Sequence, residues 1–326
     1  MLSPRTRWVA LSGALALALS ACGATSDGNQ ESNGETTTVE VEDNHGTQSV
    51  EVPPATVVAT DNRVFETLDT WNVELAAAPK PIMPDTVSYT KNADVIDLGN
   101  HREPDLEAVV AADPDLIING QRFADYYDDF QQLTPDATLV ELDPRDGEPF
   151  DEELKRQTST LGEIFDNEDE ADQINQDLDD AIERVKNAYQ EGETVMAVNV
   201  SGGEIGYIAP GVGRTLGPVF EILGLTPALE IEGASDDHQG DDISVEAIAD
   251  ANPDWILVMD RDAAVSADEV YTPAEQVIQG SEALSNVSAV QEGNVVYMPS
   301  DTYTNEGIQT YTEFFNALAD AMENKS

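Results

Sequence analysis

Residues 106–122 recur as residues 245–261, and this internal repeat constrains the fold more than any other feature of the chain. The offset is a constant 139. It pairs Glu107 with Glu246, Pro114 with Pro253, Asp115 with Asp254 and Arg122 with Arg261, and seven of the seventeen positions are identical. In each copy an apolar stripe at helical spacing is broken by proline and followed by an apolar run of strand length. Two equivalent halves of this kind predict two lobes facing one cleft. Each lobe would place a glutamate at a helix start and an arginine after a strand.

The first residues set the compartment. Arg5 and Arg7 precede an apolar run over residues 8–19, which suits a signal-peptide core and is too short to span a bilayer. It ends in Leu19-Ser20-Ala21-Cys22. Small residues before a cysteine resemble the lipobox of bacterial lipoproteins. That resemblance implies removal of residues 1–21 as a signal peptide and lipid, palmitate included, on Cys22. Cys22 is the only cysteine, so no intrachain disulfide can form. Several acyl chains anchor a protein stably, which places this one on the extracellular face of the cell membrane. Residues 22–49 begin small and polar and are expected to form a flexible tether, with the folded body starting at residue 50.

Charge narrows the partners. Loss of residues 1–21 removes Arg5 and Arg7 from fifteen basic residues and none of the 65 acids, leaving a formal −52. Phosphate recognition needs a basic footprint, so nucleic acid is excluded as a partner. In so acidic a chain each basic residue has to be accounted for.

Periodicity gives the coarse structure. Valines alternate on both sides of Asn44-His45-Gly46, which predicts a hairpin. A short buried strand is expected over residues 56–60, a helix over 63–75 capped by Asp61 or Asn62, and a strand over 94–99. Ile174, Leu178, Ala181, Ile182, Val185 and Tyr189 form one stripe, so residues 167–191 are expected to be a long helix that Gly192 terminates. The fold class is α/β: two Rossmann-like lobes with parallel sheets, joined by one long helix, with a ligand cleft between them. The boundaries read as an N-terminal lobe over 50–166, a connecting helix over 167–191 and a C-terminal lobe over 192–326.

The lipobox, the two lobes, the connecting helix and the repeated Glu-x6-Pro-Asp before a strand together resemble the periplasmic-binding-protein family that serves iron–siderophore and cobalamin ABC importers. Glu103-Pro104-Asp105-Leu106-Glu107, Asn119-Gly120-Gln121-Arg122, Arg214-Thr215-Leu216-Gly217 and Val258-Met259-Asp260-Arg261 are similar to its ferric-catecholate branch. The likeness spans residues 50–322. It implies capture of a ferric siderophore and its delivery to an ABC permease dimer with its ATPase, by a monomer with no intrinsic cofactor. The chemistry is consistent. A ferric tris-catecholate carries −3, and Arg122, Arg214 and Arg261 would compensate it with forked donors. The resemblance also implies His238 and Tyr303 as ligands that complete the coordination of iron in an incomplete chelate, and Glu107 and Glu246 as contacts to the permease. Tyr126, Tyr127 and Tyr207 are candidates to stack on catechol rings. Arg63, Arg102, Arg145, Arg156 and Arg184 have no comparable placement and read as surface or helix charges.

An enzyme is not expected. The chain has no Gly-x-Ser-x-Gly elbow, no HExxH and no phosphate loop with lysine, and its three histidines are scattered. The alternatives left open are a cobalamin or haem receptor of the same family and a structural or adhesive surface lipoprotein with no small ligand.

Overall fold

The computed structural model describes residues 37–265 and 271–325. The expected signal peptide over residues 1–21 and the expected lipid site Cys22 lie outside the described residues. Among the described residues, no helix is long and apolar enough to cross a membrane.

The N-terminal lobe opens with a hairpin of β1 (Thr37–Asp43) and β2 (Gly46–Val52). Val41 and Val50 of this hairpin are buried in one core with Val57 and Phe65. The tether expected over residues 22–49 therefore does not reach that far: the folded body includes residue 37. Next come β3 (Val57–Ala59), α1 (Phe65–Thr70), β4 (Leu75–Ala78), β5 (Ile96–Asp97), and a two-stranded ribbon of β6 (Gly99–Asn100) and β7 (Glu103–Pro104). They are followed by α2 (Leu106–Ala112), β8 (Leu116–Asn119), α3 (Tyr127–Leu133) and β9 (Thr138–Glu141). The sheet runs β5-β4-β3-β8-β9, with every pair parallel. The helix expected over 63–75 is only the six residues of α1. Val64, not Asp61 or Asn62, sits at its cap, because both polar side chains are used elsewhere.

Two antiparallel helices follow, α4 (Phe150–Phe165) and α5 (Glu168–Ala188). Helix α5 joins the lobes, and its buried stripe of Leu178, Ala181, Ile182 and Val185 enters the C-terminal core. Helix α4 braces it. Leu154 packs in the C-terminal core while Leu161 and Ile164 pack in the N-terminal one, so both helices tie the lobes together. A Cβ on Gly162 would meet the Cβ of Ala171 at 2.8 Å, which is why α4 needs glycine where it meets α5. Helix α5 ends at Ala188 with Tyr189 extended, and Gly192, at φ +98°, serves the turn beyond rather than the helix cap.

The C-terminal lobe contains β10 (Val195–Ser201), β11 (Glu204–Ile208), α6 (Val219–Leu223), α7 (Val245–Ala251), β12 (Trp255–Asp260) and α8 (Arg261–Val265). It closes with α9 (Ala274–Gly280), α10 (Ser288–Glu292), β13 (Val295–Tyr297) and α11 (Ile308–Glu323). Its sheet runs β11-β10-β12-β13, parallel except for the antiparallel edge β11. Alternate side chains of β12 enter opposite cores: Trp255, Leu257 and Met259 on one face, Ile256 and Val258 on the other. That two-sided burial explains the unbroken apolar runs.

The repeat is structural. Helices α2 and α7 are N-capped by Asp105 and Ser244, whose side chains accept from Ala108 N and Ala247 N. They end at Asp113 and Asn252, both left-handed at φ 50° and 45°. The two repeat aspartates have one job. Asp115 accepts from the amides of Ala55 and Thr56, and Asp254 from that of Thr194, so each pins the start of the neighbouring parallel strand.

Candidate ligand-binding site

Strand ends carry the site residues to one place. Arg122 lies in a 3-10 turn after β8, Arg261 begins α8 directly after β12, Arg214 follows β11, and Tyr303 sits on a 3-10 turn after β13. The crevice beyond the carboxyl ends of parallel strands is where α/β folds place ligands. The guanidinium carbons of Arg122, Arg214 and Arg261 stand 4.8, 5.3 and 4.7 Å from the centre of the Tyr303 ring. Four of the residues singled out in the sequence thus form one cluster.

Beside it is a cleft of about 550 Å³, lined by Lys80, Met83 and Thr90 of one lobe, Ala264, Ser300 and Asp301 of the other, and by Arg122 and Tyr303. That size is ordinary for a small-ligand site. A smaller hollow of about 350 Å³ adjoins Arg122 and is lined by Arg63, Gln121, Asp143 and Arg214.

Burial acts to raise the Tyr303 pKa, but hydrogen bonding and charge from Arg261 and Arg122 outweigh it, and the phenol ends below its ordinary value. Tyr303 as a residue is 6% exposed, so it forms the floor of the cluster. Its segment is held from the N-terminal lobe. Arg122 Nη2 donates to Tyr303 O at 2.8 Å, Asn62 Nδ2 to Thr304 O at 2.8 Å, and Gln121 Nε2 to the Glu306 carboxylate.

The arginines are not equally available. Arg214 forks onto Glu306, at 3.1 Å from Nε and 2.9 Å from Nη2. Arg261 has Ser201 Oγ at 3.2 Å and Asp262 Oδ1 at 3.5 Å. Arg122 has no carboxylate within salt-bridge distance among the described residues. Arg214, one of the three arginines expected to compensate the ligand's charge, thus already carries a carboxylate partner.

The loop of His238 adjoins the cluster through Ser201, which both Gln239 and Arg261 reach. His238 itself lies on an exposed loop with its nearest carboxylate, Asp237, 3.9 Å away, and it is not among the residues lining the cleft. Its backbone oxygen accepts from Asn199, and the next side chain, Gln239, reaches Ser201. The three tyrosines proposed for stacking are occupied. Tyr207 is buried with its hydroxyl on Leu229 O, Tyr127 stacks on His45 at 3.6 Å, and Tyr126 packs on Phe123 and Phe130.

Two residues escaped the sequence reading. Arg63 reads from the sequence as a surface or helix charge, but it lies in the seam with Nη1 3.1 Å from Asp143 and helps line the smaller hollow. His101 lies on the turn between β6 and β7, and burial, then the charges of Arg122, Arg102 and Arg214, lower its pKa. Its position immediately before Arg102-Glu103-Pro104 was the available signal. Of the other arginines, Arg145 and Arg156 both bind Glu153, and Arg184 binds Asp320 and Glu323 of α11. Among the described residues no group of three or more His, Cys, Asp or Glu could hold a metal ion.

A family profile described as periplasmic binding protein matches residues 57–302. The chain belongs to the periplasmic binding protein family. Within that family it is similar to the petrobactin-binding protein YclQ of Bacillus subtilis, at 29% identity over 94% of this chain and 96% of the relative. The solved YclQ structure superposes with a TM-score of 0.75, covering 88% of this chain and 99% of that one at 27% identity. The ferric-anguibactin-binding protein FatB of Vibrio anguillarum is 28% identical over 82% of this chain and 81% of the relative. The siderophore-binding protein BauB, solved with two acinetobactin molecules and ferric iron, gives a TM-score of 0.73 at 25% identity, covering 88% and 99% of the two chains.

Proposed function

We propose that this protein captures an anionic ferric siderophore of the catecholate type in the inter-lobe cleft and delivers it to an ABC import permease. The observation that carries the reading is the convergence of Arg122, Arg214 and Arg261, drawn from both lobes, on one tyrosine. Guanidinium forks suit the paired oxygens of catecholate, and a partly buried cluster strengthens each contact over its value in water. The relatives named for petrobactin and ferric anguibactin, and the iron complex bound by BauB, support the same substrate class. Tyr303 is the candidate iron ligand, because the charges and hydrogen bonds of Arg261 and Arg122 hold its phenol below the ordinary value. The protein does no covalent chemistry in this reading.

Lipid on Cys22 would hold the protein at the outer face of the membrane. Glu107 and Glu246 are exposed in the first turns of α2 and α7, one per lobe, and fit a two-point contact with a permease dimer. Titration of the purified protein with ferric catecholates, hydroxamates, citrate, haem and cobalamin, read by fluorescence quenching, tests the substrate. Binding confined to haem or cobalamin, or to nothing, would reject it. Reversing both glutamates to lysine should abolish uptake and leave ligand affinity intact.

A further inference from the structure

The inter-lobe cleft is not cationic throughout. Lys80 and Arg122 line it, but so do Asp85 and Asp301, and Lys80 Nζ is turned onto Asn92 O, to which it donates at 2.6 Å. At Ser300 and Asp301 the cleft adjoins a second hollow of about 440 Å³, whose wall shares both residues. Helix α1 supplies Glu66 and Asp69 to this hollow from the N-terminal lobe, and the C-terminal lobe supplies Asp301 and, on α11, Glu313. No basic residue lines it.

Among the described residues, the groups that hold these carboxylates are neutral. Glu66 accepts from Asn305 Nδ2 at 2.7 Å, Asp301 from Thr86 Oγ1 at 2.8 Å, and Asp69 from Ser88 N at 3.1 Å. Burial raises the Glu66 pKa, and the charges of Asp301, Glu313 and Asp69 add to it against the hydrogen bond from Asn305. Two buried side chains of the same wall carry an oxygen with no hydrogen-bond partner among the described residues. They are Asn305, 4% exposed, at Oδ1 and Thr310, 2% exposed, at Oγ1. A buried polar oxygen left unpaired is costly, and so is a set of facing like charges.

A ligand group rich in donors and positively charged relieves both. An alkylammonium has three N–H donors and no acceptor, which is the complement of carboxylates and bare oxygens. A metal ion fits less well, because no three carboxylates converge on one point among the described residues.

We propose that this hollow is a subsite for an alkylammonium arm of the siderophore, reached past Asp301 while the iron centre rests on Arg122 and Tyr303. This deepens the ferric-catecholate reading and rests on it. The ligand is then dipolar, with an anionic chelate at the arginine end and a cationic arm at the carboxylate end.

The test uses two synthetic ferric bis-catecholamide complexes that differ in one pendant arm, aminopropyl in one and butyl in the other, titrated into the purified protein by fluorescence quenching. Wild type should bind the aminopropyl complex about tenfold more tightly, the scale of one charged hydrogen bond. Glu66→Gln with Glu313→Gln keeps the shape of the wall, removes two charges, and should bring that ratio down to about twofold or less. Asp136→Asn removes an exposed carboxylate that lines neither space and should leave the ratio near its wild-type value. If wild type binds neither complex, the ferric-catecholate reading falls. If wild type binds both equally, or the double variant keeps the full preference, the subsite falls alone. An equal drop in Asp136→Asn would assign the preference to the protein's overall charge and likewise overturn the subsite. Should the double variant not fold, Glu313→Gln, at an exposed position of α11, decides: an unchanged ratio overturns the proposal.

Discussion

Arg122 reaches across the seam to Tyr303 twice over, donating to its backbone oxygen at 2.8 Å and standing 4.8 Å from the centre of its ring. One side chain thus positions the tyrosine and helps to lower its phenol. Arg122→Ala should weaken ferric catecholate binding by roughly ten- to a hundredfold, on the order of 1.5–3 kcal/mol for lost charged hydrogen bonds. Ultraviolet titration should find the Tyr303 phenol moved upward in the variant.

Tyr303→Phe keeps the ring beneath the three guanidiniums and removes only the hydroxyl. Tetradentate ferric complexes should lose the visible charge-transfer band of an iron phenolate and about tenfold in affinity, while hexadentate complexes should change little. Absorbance and quenching titrations on the same samples separate the two effects.

Asp61 gives a pH dependence of known sign. It is fully buried, and burial and then the Asp143 charge raise it to about 7 against the pull of Arg63 and Gln157. A folded-state pKa above the unfolded value means that the native state holds the proton more tightly. The stability from this group is complete below about pH 4, is lost as pH rises toward 7, and stays lost above that. Asp61→Asn should therefore match wild type near pH 4 and exceed it near pH 8 by on the order of 2–4 kcal/mol. Urea unfolding at the two pH values measures the difference.

Glu153 carries the opposite sign. Its side chain is 3% exposed; burial raises its pKa, but Arg145 and Arg156 outweigh burial and bring it to about 2. Its stabilisation is present above about pH 4.5 and lost as pH falls toward 2. Glu153→Gln should cost roughly 2 kcal/mol at pH 7, less than a wholly buried pair because Arg145 is half exposed. Denaturant midpoints at constant m-value check it.

The cluster sits within a body of large negative charge, so an anionic chelate is repelled at a distance. Moving from about 10 mM to about 150 mM salt shortens the Debye length from about 30 to 8 Å and should speed association. Stopped-flow quenching would show the reverse if the field around the cleft were attractive.

Some of this was legible in the residues. The repeat located α2, β8, α7 and β12, because helical spacing, a proline break and an unbroken apolar run are local signals that burial on two faces imposes. It also placed Arg122 and Arg261 after equivalent strands, and strand ends in such folds meet at one crevice. What local pattern could not give was pairing across eighty or ninety positions. Arg63 looked like any surface arginine until Asp143 was brought beside it, and Arg214 looked free until Glu306, ninety-two residues on, closed over its fork. His238 came from the family resemblance and the stacking tyrosines from their residue type, and in both cases exposure and packing are decided by the chain around them. Sequence alone therefore fixed the kinds of groups and the strand ends that carry them. Only the tertiary structure decided which charges remain uncompensated, because that depends on distances of a few ångströms between segments with no relation in the sequence.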